Sequence, residues 1–137
     1  MLMYYIYWNL YIINMIIGIG TDIIEVERIK KIITNYSDSA IKKIFTDIER
    51  DYCEQFGDNK YEHYAVRYAA KEAFSKAIGT GFTGTYKLNE VGVVNMENGR
   101  PELVLYSSTL KRYEKYRIHL SVSHIKDYAV SFVIIEE

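Results

Sequence analysis

Residues 61–79 read YEHYAVRYAAKEAFSKAIG, the longest helical pattern in the chain. Five small side chains recur along it: Ala65, Ala69, Ala70, Ala73 and Ala77. Gly79 marks its end, because glycine commonly follows the last turn of a helix. The stretch predicts a helix from Tyr61 to Ile78 whose alanine positions let a second element approach the helix backbone closely.

Charged side chains on this predicted helix form two pairs at i,i+4 spacing. Glu72 and Lys76 share one face, and Arg67 and Lys71 share another. A second carboxylate, Asp22, stands at the end of the first predicted strand, where by itself it would simply cap the next helix. Two carboxylates from separate elements can instead hold one Mg²⁺, with phosphate oxygens and water at its other positions.

The rest of the chain mixes helical and strand patterns. Thr46 stands where an N-cap belongs, and Glu49 follows three residues later, so the two form a capping box. The predicted strands are 15–24 (a continuous apolar run, expected to be buried), 88–95, 101–106, 117–123 and 128–135; the shorter predicted helices are 25–35, one from 37, one from 46 and 107–115. Because hairpins connect most strands, we predict an α+β fold, with an antiparallel sheet packed on one long and several short helices.

Composition excludes several classes of protein. The chain has 137 residues, of which 49% are hydrophobic and one is proline, so it is neither disordered nor of low complexity. A single cysteine, Cys53, excludes disulfide staples and a cysteine-based zinc site. The formal net charge is −1, so no overall field attracts nucleic acid, and no nucleic-acid partner is expected.

The N-terminal stretch from Met1 to Thr21 carries no charge and is about long enough to span a bilayer. Asn9 and Asn14 interrupt it, and no flanking Lys/Arg cluster sets an orientation. The basic region and cleavage site of a secretory signal are also missing. We expect no membrane span. The predicted domain is 15–137, and 1–14 form an extension: a leader remnant, an upstream start, or an added edge strand or apolar contact.

Two glycine patterns resemble nucleotide-binding motifs. Gly18 and Gly20 follow a strand, but Ile23 occupies the position of the third glycine of a dinucleotide fingerprint. The stretch 79–84 matches G-x-G-x-x-G, yet it follows a helix and precedes a strand, the reverse of the order required. Its backbone N–H groups can still bind phosphate oxygens.

Three segments, taken together and in order, resemble the holo-acyl-carrier-protein synthases, the small 4′-phosphopantetheinyl transferases. They are GIGTDI at 18–23 with Glu25 and Arg28, RYAAKEAFSKAIGTG at 67–81, and LSVSHIKDYA at 120–129. The turn NGRP at 98–101 also matches. The resemblance covers about residues 15–135 and leaves the extension without a counterpart.

The resemblance implies a homotrimer with active sites between subunits, coenzyme A as donor, Mg²⁺ as cofactor, and a role in fatty acid biosynthesis. Asp22 and Glu72 match the metal positions, and Lys76 matches the lysine near the reacting phosphates, so these three are the expected catalytic residues. The positions expected at the nucleotide end of coenzyme A are Gly79, Thr80, Gly81, Pro101, Ser123 and His124. Arg28 and Lys31 lie on the helix expected to dock the acidic carrier protein. His119 and His124 are an odd number apart and should point to opposite faces of their strand.

The implied reaction is attack by a carrier-protein serine on the β-phosphorus of coenzyme A, which releases adenosine 3′,5′-bisphosphate. For the general base, the sequence leaves open a metal-bound water or a carboxylate such as Glu49. The rival function is a non-catalytic module that binds coenzyme A or a carrier protein on the same fold. The expected location is the cytoplasm of a bacterium, or a plastid-type organelle of a eukaryote with an AT-rich genome.

Overall fold

A computed structural model describes residues 14–79 and 87–137 of the chain. Its strands are β1 (Ile16–Glu25), β2 (Val91–Asn95), β3 (Pro101–Leu105), β4 (Arg117–His124) and β5 (Tyr128–Glu136). Its α-helices are α1 (Val26–Asn35), α2 (Asp38–Lys42), α3 (Asp47–Glu54), α4 (Lys60–Ala77) and α5 (Ser107–Tyr113), with 3₁₀ turns at Gly57–Asn59 and Leu88–Glu90. One antiparallel sheet has the order β1-β5-β4, and β2 and β3 form a separate hairpin. The α+β prediction is confirmed.

The helices begin and end close to the residues that the sequence predicts, and side-chain caps mark two of their first turns. Helix α4 lies within one residue of its predicted bounds at each end. The capping box of α3 is present: the Glu49 N–H donates to Thr46 Oγ1 over 3.2 Å, and the Thr46 N–H donates to Glu49 Oε1 over 3.0 Å. The Ser37 side chain caps α2 by accepting from the Ala40 N–H. These bonds satisfy backbone donors that the first helical turn leaves unpaired.

Strand β1 packs against α4 with almost no space between the two backbones. A Cβ built on Gly20 would lie 1.9 Å from the Ala73 carbonyl oxygen, and one built on Gly18 would lie 2.0 Å from that of Ala77. Both distances are far below van der Waals contact. The close approach expected from the alanine positions is therefore present. It requires glycine on the strand as well as alanine on the helix.

Among the described residues, helices cover the sheet on one face only. On the face toward α4, Asp22 and Ile24 of β1 are buried, and Ser131 of β5 donates a hydrogen bond to the Val66 carbonyl. On the other face, Ile19 and Ile23 are 57% and 67% exposed, and Phe132 beside them is 40% exposed. The expectation that β1 is a buried strand is wrong for this face, because the described helices that pack on the sheet lie on the opposite side.

The N-terminal extension falls almost entirely outside the described residues, which begin at Asn14. Within residues 14–79 and 87–137, no helix is both long enough and apolar enough to cross a membrane.

Substitution of Gly20 by alanine should destabilise the fold by at least about 2 kcal/mol, because its Cβ would meet helix backbone that cannot move aside. Urea unfolding measures the loss. Gly92→Ala is the matched control in a strand, since its Cβ would meet only the side chains of Tyr106 and Thr46, at 3.1 and 3.3 Å. The Gly92→Ala substitution should lower the free energy of unfolding by about 1 kcal/mol or less. Equal losses at the two positions would contradict the backbone contact as the constraint.

Candidate active site

The three residues expected to be catalytic come together beside the contact between β1 and α4. Asp22 lies on the buried face of β1 and is 9% exposed, and its Oδ1 is 3.0 Å from Lys76 Nζ. The same ammonium donates to the Thr21 carbonyl oxygen over 2.9 Å. Asp22 does not cap the next helix, because β1 continues to Glu25, which occupies the N-cap position without a side-chain capping bond. The simpler interpretation of Asp22 is therefore wrong.

The Asp22 and Glu72 carboxylates form a pair that lacks sufficient positive charge. Burial, reinforced by the adjacent Asp22 carboxyl, raises the pKa of Glu72 to about 7, although Arg28 and Lys76 oppose the shift. Asp22 Oδ2 is buried and accepts no hydrogen bond from the described part of the chain. The two carboxylates are adjacent, and the Lys76 ammonium contacts only Asp22 Oδ1 among their oxygens in the described residues. A bound cation would stabilise such a pair.

The donor set suits Mg²⁺. In the described part of the chain, no group of three or more His, Cys, Asp or Glu side chains is placed to hold a metal ion. Mg²⁺ needs fewer, because it commonly binds through one or two carboxylates and takes its remaining ligands from substrate phosphates and water. Asp22 Oδ2 and the Glu72 carboxyl therefore fit this ion.

Two contacts near the carboxylates were not expected from the sequence. Tyr68 lies one helical turn before Glu72, and burial, followed by the charge of that carboxylate, raises the pKa of the Tyr68 phenol. Arg28, expected only at the docking surface, is close enough for its charge to lower the pKa of Glu72. The i,i+4 spacing of Tyr68 and Glu72 on α4 predicts that these two side chains are neighbours. The second depends on how α1 folds back after β1, which no local pattern encodes.

The basic side chains of α1 lie around two different cavities. Arg28 and Lys31 line one of about 390 Å³ together with the exposed Ile23. Lys30 lines a larger one of about 680 Å³, where its ammonium lies 5.7 Å from the centre of the Tyr61 ring. Of these three basic side chains, Arg28 is close enough to the carboxylates for its charge to lower the pKa of Glu72.

Some residues expected to bind the nucleotide end of coenzyme A lie far from the Asp22 and Glu72 carboxylates of the same chain. His124 Nδ1 lies 3.1 Å from Glu62 Oε2, and its ring centre is 5.3 Å from that of His63. Glu62 and Lys76 are fourteen residues apart on α4, a separation of about 21 Å along the helix axis.

The other nucleotide-end positions are spread over the fold. Ser123 pairs with Val130, itself paired with Ile23, so it lies on the uncovered face of the sheet. Pro101 begins β3 opposite Asn95. Gly79 follows α4 with a φ of +77°, and Thr80 and Gly81 lie outside the described residues.

The two strand histidines point to opposite faces, as predicted. His119 lies on the uncovered face of the sheet, with Nε2 2.8 Å from Glu136 Oε2, whereas His124 contacts the side chains of α4. His63, which the sequence analysis did not single out, stacks on Phe56 with ring centres 3.7 Å apart. Burial, followed by the charges of Arg67 and His124, lowers the pKa of His63.

Comparison with known proteins gives consistent matches over most of the chain. A family model described as the 4′-phosphopantetheinyl transferase superfamily matches residues 18–133. The holo-[acyl-carrier-protein] synthase of Ehrlichia chaffeensis is 38% identical over 123 residues, which cover 88% of this chain and 97% of that protein. The protein of the same name from Caulobacter sp. strain K31 is 42% identical over 129 residues, covering 89% and 96%.

Solved structures resemble the fold as well. A holo-[acyl-carrier-protein] synthase from Neisseria meningitidis matches with a TM-score of 0.80 and 34% identity, covering 90% of this chain and all of that one. A holo-(acyl-carrier-protein) synthase from Bacillus anthracis, in complex with CoA (3′,5′-ADP), matches with a TM-score of 0.75 and 38% identity, covering 89% and 97%.

Glu49, considered from the sequence as a general base, is part of the core instead. Its side chain is fully buried and accepts from Lys71 Nζ over 2.6 Å and from the Val93 N–H over 3.1 Å, in addition to the capping bond from Thr46. The lysine also donates to the carbonyl oxygens of Leu88 and Val91. A carboxylate held by three donors in the interior cannot reach a substrate, so the assignment of Glu49 as a base is wrong.

Removal of the Glu49 side chain should lower the free energy of unfolding by about 3–5 kcal/mol, because Glu49→Ala leaves the Lys71 ammonium buried without its counterion. Chemical denaturation measures this loss. The control is Glu54→Ala, which breaks the exposed ion pair with Lys60 and should cost less than about 1 kcal/mol. A fully stable Glu49→Ala protein would return this carboxylate to the list of candidate bases.

Proposed function

The chain belongs to the 4′-phosphopantetheinyl transferase superfamily, and we propose that its site acts as that of a Mg²⁺-dependent, trimeric holo-acyl-carrier-protein synthase. The protein transfers the 4′-phosphopantetheine group from coenzyme A to a serine of apo acyl carrier protein. The products are holo acyl carrier protein and adenosine 3′,5′-bisphosphate. The observation that carries the assignment to this site is the meeting of Asp22, Glu72 and Lys76, from two matched segments, around one poorly neutralised pair of carboxylates.

The chemistry requires positioning and charge neutralisation more than a protein nucleophile. The serine hydroxyl of the carrier attacks the β-phosphorus of the pyrophosphate, and the bond to the adenosine-bearing phosphate breaks. Negative charge accumulates on the departing phosphate as it leaves. Lys76, half exposed at the end of α4, presents an ammonium to this charge while Asp22 and the Thr21 carbonyl hold it in place.

Asp22 and Glu72 would hold the metal. When bound, Mg²⁺ would supply further neutralisation of the pyrophosphate oxygens. Two observations support this assignment: the buried Asp22 Oδ2 accepts no hydrogen bond from residues 14–79 and 87–137, and the pKa of Glu72 is raised. Both carboxyls need a cation to be stable side by side as anions. Tyr68 lies beside the Glu72 carboxyl, on the preceding turn of α4.

The homotrimer is supported by two features of the single chain. The uncovered face of the sheet carries Ile19, Ile23 and Phe132, which a stable protein seldom leaves in water as a group. His124 stands about 21 Å along α4 from Lys76, so a site that uses both must take them from different copies. A neighbouring subunit therefore supplies Ser123 and His124 to the nucleotide end of coenzyme A, next to the Gly79–Gly81 segment and Pro101.

Docking of the carrier protein is assigned to Arg28 and Lys31 of α1. These cations border a cavity beside Ile23, and the charge of Arg28 also reaches the Glu72 carboxyl. An acidic carrier surface bound there would bring its serine toward Asp22 and Glu72. We also expect a role in fatty acid biosynthesis and a location in the cytoplasm of a bacterium or in a plastid-type organelle of a eukaryote, and family membership supports both.

The decisive experiment is incubation of the full chain with coenzyme A, Mg²⁺ and an apo acyl carrier protein, with the carrier mass recorded over time. A gain equal to one phosphopantetheine group is expected. Binding of coenzyme A without any gain in carrier mass would favour the rival function, a non-catalytic binding module.

Removal of either metal carboxylate should abolish transfer while leaving the fold intact. We expect Asp22→Ala and Glu72→Ala each to reduce kcat/KM at least a hundredfold, about 3 kcal/mol, and to lose Mg²⁺ dependence. Transfer assays across a Mg²⁺ series measure both effects, and Glu54→Gln, an exposed carboxylate on α3, is the control. Near-normal turnover by either variant would remove that residue from the metal site.

The shared site can be tested by mixing two inactive variants. Lys76→Ala and His124→Ala should each have low activity alone, since each damages every site of its own trimer. Unfolding them together and refolding as mixed trimers should restore activity in about one quarter of the sites, because each site draws the two residues independently from equal pools. Absence of recovery, or a fully active monomer in sedimentation, would contradict a site built between subunits.

The docking assignment can be tested with two charge reversals on one helix. Lys31→Glu should raise the KM for carrier protein several-fold with little change in the KM for coenzyme A, and added salt should act in the same direction on the wild type. Lys30→Glu is the matched control, since that side chain borders the other cavity. Lys31 is a cleaner choice than Arg28, whose charge also reaches Glu72. Equal effects of the two reversals would mean that this side of α1 does not dock the carrier.

A further inference from the structure

A carboxylate at the start of α4 lies against a histidine at the end of β4. Glu62 Oε2 is 3.1 Å from His124 Nδ1. Glu62 belongs to the first turn of the helix, and His124 is the last residue of the strand, so the contact joins two elements far apart in the chain. The transfer step itself does not use this carboxylate, because it lies about 21 Å along the helix axis from Lys76.

The two side chains of this contact are neither buried nor fully exposed. The Glu62 side chain is 21% exposed, and that of His124 is 33% exposed. Charges partly withdrawn from solvent are screened less than charges on the open surface. The first turn of a helix is also its electrically positive end, where a carboxylate is stabilised. The imidazole is therefore accessible to a ligand while a stable anion contacts one of its nitrogens.

A second imidazole completes the surroundings of His124. The His63 ring centre lies 5.3 Å from that of His124 in an edge-to-face arrangement, and His63 stacks on Phe56. Burial lowers the pKa of His63, and the charges of Arg67 and His124 lower it further, so this ring is neutral near pH 7. Of the two imidazoles, His124 is the one that contacts a carboxylate and can present a positive charge to a ligand.

The contact determines which ring nitrogen is presented to a ligand. The partner of one histidine nitrogen sets the proton and the role of the other. An ionised carboxylate only accepts hydrogen bonds, so Glu62 beside Nδ1 favours a proton on that nitrogen. Nε2 then stands on the opposite edge of the ring, and in the charged imidazole its N–H donates to an anionic oxygen. Without the carboxylate, the ring is free to turn and to exchange the roles of its nitrogens.

We propose that Glu62 is a positioning residue for coenzyme A: it holds the His124 imidazole at Nδ1 and directs Nε2 toward the nucleotide end of the substrate. The proposal rests on the proposed function, which assigns His124 to that end of coenzyme A. In the proposed trimer, each Glu62–His124 pair serves the site of a neighbouring subunit. The alternative is that Glu62 is a solvated helix carboxylate that stands beside His124 without affecting the ligand.

Binding of an anionic nucleotide separates a positioning carboxylate from a bystander by the sign of the effect. Adenosine 3′,5′-bisphosphate is the probe, because it binds without turnover. Glu62→Ala should raise its Kd about tenfold, since the charged donor is no longer held in place. A bystander carboxylate repels the anion, so its removal would instead tighten binding.

Calorimetry on the full chain measures these constants. Glu62→Gln keeps an acceptor oxygen and loses the charge, so its Kd should lie between those of the wild type and Glu62→Ala. Glu54→Gln, which removes a carboxylate paired with Lys60 of the same helix, is the matched control and should leave the Kd unchanged. Unchanged or tighter binding by Glu62→Ala would overturn the proposal.

A double-mutant cycle shows whether Glu62 acts through His124. In a His124→Ala protein, Glu62→Ala should cause no further loss of affinity, because no imidazole remains to be positioned. In transfer assays, Glu62→Ala should raise the KM for coenzyme A and leave kcat and the KM for carrier protein nearly unchanged, since the contact is remote from the reacting phosphorus. Additive losses in the cycle, or an equal fall in kcat from a loosened fold, would overturn the positioning role.

Imidazole NMR reads the positioning directly. The chain contains three histidines, so their ring nitrogens can be assigned. At a pH where His124 is neutral, its Nδ1 should carry the proton in the wild type, and Glu62→Ala should shift the proton to Nε2, the form that a free imidazole side chain prefers. The same tautomer in both proteins would mean that Glu62 does not control this ring.

Failure of this inference and failure of the proposed function give different results. Weaker nucleotide binding by His124→Ala, together with wild-type binding by Glu62→Ala, would overturn the role of Glu62 alone and leave the function in place. A wild-type protein that binds neither coenzyme A nor adenosine 3′,5′-bisphosphate would overturn both.

Discussion

The contact between strand β1 and helix α4 is the constraint on which the rest of the structure depends. Gly18 and Gly20 allow the strand to lie directly against the carbonyl groups of Ala77 and Ala73, where any Cβ would collide with helix backbone. Asp22 continues the same face of the strand, and Lys76 belongs to the same side of the helix. The packing that closes the core therefore also sets a carboxylate and an ammonium 3.0 Å apart.

Burial gives neighbouring residues of α4 different roles. Lys71 is fully buried, and its ammonium joins the helix to Glu49 and to the carbonyl groups at the start of the β2 hairpin. Glu72, the next residue, turns toward Asp22, and Lys76 is half exposed beside it. A saturated ion pair stabilises the fold, whereas a partly neutralised one retains the capacity to bind cations and phosphates.

A single chain contains some of the residues that the proposed reaction needs and lacks others near the carboxylates. It brings the carboxylates and the lysine together, yet His124 lies near the far end of α4 and the outer face of the sheet stays apolar and exposed. The proposed trimer accounts for both features at once, because copies that bury this face also exchange the residues missing from each site.

The sequence alone determined the secondary-structure elements of this protein and singled out the residues that are proposed to be catalytic. The bounds of α4, the Thr46–Glu49 capping box and the α+β class all follow from periodicity and capping within a few residues, where backbone hydrogen bonds are local. Tertiary structure alone decided that Glu49 is a core residue, that one face of β1 is open, and that Arg28 approaches Glu72. The physical reason is that burial and charge environment depend on contacts between segments far apart in the chain, and local spacing does not encode those contacts.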